Sequence, residues 1–135
     1  MTAPIPTDDS AFAATWRARR EAERASAQVH AQALAQCVVS GAAAFLDAFP
    51  SATLWLIGSV AAGTARADSD LDLVVSGLDA TAALQAERWW QDRLRHDGLR
   101  RTQVDLQRGE ELPEQWLSRA VRSGRRWPER AMEGR

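Results

Sequence analysis

The stretch Gly58-Ser59-Val60-Ala61-Ala62-Gly63-Thr64-Ala65-Arg66-Ala67-Asp68-Ser69-Asp70-Leu71-Asp72-Leu73-Val74-Val75 sets a glycine-serine turn a short way ahead of two acids that alternate with apolar residues. That alternation constrains the fold. On an extended chain successive side chains point to opposite faces, so Asp70 and Asp72 project to one side while Leu71, Leu73 and Val75 project into a core. Two carboxylates on one face repel, and one is driven towards protonation unless a cation sits between them. Magnesium suits such a pair, because it takes hard oxygen ligands while keeping waters and substrate phosphates. Directly upstream, Thr53-Leu54-Trp55-Leu56-Ile57 reads as a first strand. Gly58 and Ser59 then let the backbone approach phosphate, and a short helix from near Val60 would aim its N–H groups at an anion. An Asp-x-Asp alone is usually a solvated pair. The turn before it and the apolar strand through it make it a candidate site.

The rest of the chain arranges itself around this segment. Met1 to Thr7 reads as a loose tail, and Asp8-Asp9-Ser10 supplies caps for a helix from Ala11 to about Ser40. The middle of that helix, Arg17 to Gln28, is polar and charged, so it gains little from the chain's own core and suits an interface. Gly41 suggests a hinge before Ala42 to Phe49, and Pro50 ends the helix. After the strand Leu71 to Val75, Asp79 or Thr81 caps a helix to His96 with Leu84, Trp90 and Leu94 on its inner stripe, and Asp97-Gly98 closes it. Arg101 to Leu106 reads as a third strand, placing Asp105 opposite Val104 and Leu106. Pro113 starts a last helix through Ser123, with Trp116, Leu117 and Val121 inward and Gly124 as its stop. Helices and strands in this order predict an α/β (α+β) domain, a small mixed sheet with helices packed on it. The organisation is a tail and long helix over 1–50, a core over 51–127 and a C-terminal tail over 128–135.

Gly58, Ser59, Ala61, Gly63, Ser69, Asp70, Asp72 and Leu73 match the spacing G-S-x-A-R-G, five residues, S-D-x-D-L. In this the chain resembles the minimal nucleotidyltransferases of the DNA polymerase β superfamily, some of which act as antitoxins beside HEPN-type toxins. The resemblance runs from about Ala52 to Trp127, and Ala62 stands where many members carry arginine. It implies the nucleotidyltransferase fold and a third carboxylate on a later strand, for which Asp105 is the candidate. It further implies that Asp70, Asp72 and Asp105 are the catalytic, metal-holding acids, with two magnesium ions roughly 4 Å apart. Gly58, Ser59 and Ser69 are the corresponding nucleotide-binding residues, and ATP is the implied donor. Two functions follow. One is an adenylyltransferase that moves AMP from ATP to a protein acceptor such as a HEPN-type toxin. The other is a module of the same fold that neutralises a partner by binding alone. The long N-terminal helix is the expected surface for that partner or for a homo-oligomer.

Composition narrows the alternatives. A net charge of −1 with 26% charged residues lacks the positive excess of a polynucleotide-binding surface, so direct nucleic-acid binding is disfavoured. Arginines do gather late, at Arg100, Arg101, Arg108, Arg119, Arg122, Arg125, Arg126 and Arg130, either as a solvated face or as a grip for triphosphate or an acidic partner. The chain has no lysine, which excludes a Walker phosphate loop and lysyl-nucleotide chemistry, and no tyrosine to modify on itself. The single Cys37 lies in an apolar helical stretch as a packing residue, and neither His30 nor His96 belongs to a recognisable relay or zinc cluster. No run is read as approaching the roughly 20 apolar residues of a membrane span, and no export signal is read at the N-terminus. A cytoplasmic protein is the expectation.

Overall fold

The first helix, α1 (Asp9–Ala48), has 40 residues. At 1.5 Å per residue it is about 60 Å long, roughly twice the width of a small domain, so this chain cannot bury it along its whole course. In the computed structural model, which describes residues 9–66 and 68–129, nearly every position from Ser10 to Ser26 is exposed. Phe12 is 73% and Trp16 47% exposed, and the Arg20 guanidinium lies over the Trp16 ring at 4.3 Å. The tail over Met1 to Thr7, the Asp8 cap and residues 130–135 of the C-terminal tail lie outside the described residues.

From Ala25 onward α1 carries only one charge, Asp47. Contrary to the sequence reading, α1 therefore includes an 18-residue window apolar enough to cross a membrane by length and composition. Packing supplies a use for that apolarity, since Ala31, Leu34, Cys37, Val38, Ala42 and Phe45 are all buried in the core. Nor does the helix hinge at Gly41. A Cβ there would lie 3.1 Å from the Trp90 ring, so the missing side chain serves close helix approach.

Four strands form one sheet in the order β3-β2-β1-β4. β1 (Thr53–Ile57) pairs antiparallel with β2 (Leu71–Ser76), and β2 runs parallel to β3 (Val104–Arg108). Between β1 and β2 lies the short helix α2 (Gly58–Ala62). The parallel pair needs a crossover, supplied by α3 (Ala80–His96). Asp79, not Thr81, caps α3, its carboxylate accepting from the Ala82 N–H at 2.8 Å. Trp90 and Leu94 are fully buried from α3, and Phe45 stacks against Trp90 at 5.3 Å.

Three sequence expectations change. Leu84 is 67% exposed; the inner stripe of α3 is Ala83, Ala86, Trp90 and Leu94, so the apolar face lies one position to the side and is narrower than leucine spacing suggests. β3 begins at Val104 rather than Arg101, because Leu99 to Thr102 forms a turn, with the Thr102 N–H donating to the Leu99 carbonyl at 3.4 Å. A fourth strand, β4 (Arg125–Trp127), follows the last helix, α4 (Glu114–Ser123), and adds antiparallel to β1 with Trp127 buried opposite Leu54.

Candidate active site

Parallel pairing sets Asp72 of β2 in register with Asp105 of β3. Residues in register on neighbouring strands share a face, so these two acids stand side by side while Leu71 and Val104 point into the core. The register is held from both sides. The Leu71 N–H donates to the Gln103 carbonyl at 2.9 Å. The Gln91 amide of α3 donates to the Thr102 carbonyl at 2.9 Å and accepts from the Val104 N–H at 3.0 Å, clamping the entry to β3.

On the other flank Ile57 pairs with Asp72, so the chain turns into α2 beside the same carboxylate. Gly58 makes that turn with φ +74°, a left-handed conformation that favours glycine, and a Cβ there would sit 2.5 Å from Asp72 Oδ2. Both conformation and contact therefore require glycine. The half-buried Ser59 follows at the start of α2, its carbonyl accepting from the Thr64 N–H at 2.8 Å. Ser69 closes the loop before Asp70: its hydroxyl accepts from the Arg66 N–H at 2.7 Å, and its own N–H donates to the Arg66 carbonyl at 3.0 Å. In this structure Ser69 holds the acidic loop in shape.

Asp72 and Asp105 form the floor of an open cleft of about 400 Å³, with Gly58 at its side. Burial, then the Asp105 and Asp70 carboxylates, hold the Asp72 carboxyl above the ordinary carboxylate range. Asp70 is exposed just before β2 and does not line the cleft, but its charge reaches Asp72. The opposite wall is α4, through Trp116, Arg119, Ala120 and Ser123. Reading Trp116 as a core residue is thus incorrect. It is 43% exposed, and no residue of α4 is buried, Leu117 and Val121 being half-buried.

Among the described residues no three His, Cys, Asp or Glu side chains are gathered closely enough to hold a metal ion. A cation bound largely through water and phosphate oxygens needs only one or two protein carboxylates. The adjacent pair Asp72 and Asp105, with hard oxygen donors and mutual repulsion, fits such an ion. Cys37 lies apart from the site as a buried packing residue, its thiol pushed up to about 12 by burial and by Asp97.

A mixed sheet here presents acids from neighbouring strands beside a glycine turn, hard oxygen donors next to a backbone that a phosphate can approach. Residues 41–121, more than half of the chain, match the family profile described as nucleotidyltransferase domain. The chain belongs to that family, and nucleotidyl transfer is its class of reaction. No curated protein matches the chain.

Proposed function

We propose that this protein transfers AMP from ATP to a hydroxyl group on a protein acceptor such as a HEPN-type toxin, acting in the cytoplasm as its antitoxin. The observation that carries the reading is the registered pair Asp72 and Asp105, open to a cleft whose edge is the Gly58 turn. In this reading Asp72 holds the magnesium-bound triphosphate in the cleft, Asp70 supports it from outside the cleft through its charge, and Asp105 serves the acceptor side. The acceptor oxygen bonds to the α-phosphorus, the bond to the bridging oxygen breaks, pyrophosphate leaves and the hydroxyl proton passes to Asp105 or to water. Bound magnesium ions supply charge neutralisation at the phosphates and at the attacking oxygen. Gly58 and Ser59 position the β and γ phosphates, so most of the rate gain is placement and charge compensation.

Asp105→Asn is expected to keep near-normal magnesium-dependent ATP binding by calorimetry but to lose transfer by about two orders of magnitude. Asp70→Asn combined with Asp72→Asn should lose both. A second reading, neutralisation by binding alone, is favoured by the exposed aromatic pair Phe12 and Trp16 on the projecting half of α1. If the double variant protects cells from the partner as well as the wild type, that reading replaces the first.

A further inference from the structure

α4 poses a packing problem. Its spacing is strongly amphipathic, yet none of its residues is buried, although a helix of that pattern ordinarily turns its apolar face onto a core. Trp116, Arg119, Ala120 and Ser123 follow i, i+3, i+4, i+7, which is a single helix face, and that face is the wall opposite Asp72 and Asp105. The largest side chain on it, Trp116, is left 43% exposed. Arg119 is also exposed, and it takes part in none of the ion pairs among the described residues. Arg93, Arg95, Arg108 and Arg125, by contrast, each have an acidic partner.

We propose that this face of α4 is the nucleotide-gripping wall of the cleft, with Trp116 stacking on the nucleobase and Arg119 meeting the polyphosphate. The inference rests on the reading of the cleft as a nucleotide site and names the residues that reading lacks. The charge pattern selects the ligand class. A simple anion would meet the two carboxylates of the floor, and a simple cation would meet Arg119. A metal-loaded nucleoside triphosphate offers a cation to the floor, negative oxygens to Arg119 and a flat ring to Trp116. Because every base has a π-face, stacking reads ring area and not hydrogen-bonding edges. The wall would therefore prefer purines to pyrimidines and separate ATP from GTP weakly.

Calorimetric titration with magnesium present tests this, using ATP, inorganic tripolyphosphate and adenosine as probes. Trp116→Ala should weaken ATP about tenfold or more and leave tripolyphosphate unchanged, while Trp116→Phe keeps most of the ATP affinity. Arg119→Gln should weaken ATP and tripolyphosphate in parallel, by about tenfold or more, and leave adenosine unchanged. The proposal is overturned if Trp116→Ala binds ATP like the wild type, or loses tripolyphosphate as strongly as ATP. Loss of ATP only in the Asp70→Asn/Asp72→Asn double variant, with both α4 variants unaffected, keeps the nucleotide site and overturns the role of α4. A wild-type protein that binds neither ATP nor tripolyphosphate overturns both.

Discussion

Gly58 opens α2 and Gly63 follows its end with nearly the same φ, +74° and +75°, yet their surroundings differ completely. A Cβ on Gly63 would meet nothing within 4 Å, whereas one on Gly58 would lie 2.5 Å from Asp72 Oδ2 and 3.2 Å from its Cγ. Gly58→Ala and Gly63→Ala thus share the left-handed backbone penalty of about 1 kcal/mol, a fall of roughly 3–6 °C in melting temperature for a domain of this size. Only Gly58→Ala must also push the Asp72 carboxylate aside. An ordinary contact needs about 1 Å more room than 2.5 Å allows, so the carboxylate swings out of the cleft floor. On the proposed function, losing one charged contact to the magnesium-triphosphate amounts to about 1.5–3 kcal/mol, or at least tenfold in affinity. Melting curves should show both variants lowered, Gly58→Ala by somewhat more. Magnesium-dependent ATP binding should be unchanged in Gly63→Ala and at least tenfold weaker in Gly58→Ala. Equal loss of binding in the two variants, or full binding in Gly58→Ala, would refute the claim that Gly58 acts by making room for Asp72.

Asp72 should lower the stability of the metal-free protein. Its folded carboxyl lies above the ordinary value, so stability falls as pH rises from the unfolded value through the raised folded one, and the penalty persists at neutral pH. Asp72→Asn should therefore raise the neutral-pH melting temperature by a few degrees, after allowance for solvent screening of a half-buried group. The gain should vanish near pH 3; a variant less stable than the wild type at neutral pH would contradict the repulsion described for the site. Cys37, with its thiol pushed up to about 12, should resist iodoacetamide at pH 8 in the native protein and react readily in denaturant. Fast native alkylation would show that the thiol is not held by burial and Asp97.

Local periodicity made part of this fold legible. The apolar run Thr53 to Ile57 is β1 to the residue, and period-two alternation placed Asp72 and Asp105 opposite their buried neighbours on β2 and β3. The family spacing singled out Gly58, where left-handed φ and the nearness of Asp72 leave no room for a side chain. What local pattern does not contain is pairing. That β3 joins β2 in parallel, with Asp105 level with Asp72, depends on the α3 crossover and the Gln91 clamp, which bring together residues far apart in sequence. β4 escaped notice for a related reason. Three residues, two of them arginines, show no strand pattern and become a strand only because β1 has a free edge and Trp127 can be buried against it.

The tryptophans show why the wall of the site was harder to read than its floor. Trp90 and Trp116 both lie on inward faces of amphipathic helices, and helical spacing treats them alike. Trp90 is fully buried and Trp116 is nearly half exposed, because α3 meets α1 and the sheet while α4 faces a cleft. Periodicity reports which side of a helix turns inward; it carries no information on whether the space there is filled by protein or left for a ligand. The acids stand out in the sequence because two carboxylates on one strand face repel each other and demand an explanation. Trp116 raised no such conflict, since an apolar residue on an inward face looks correct in a core and in a binding site alike. An uncovered apolar face becomes visible only in the three-dimensional packing, as it does along α4.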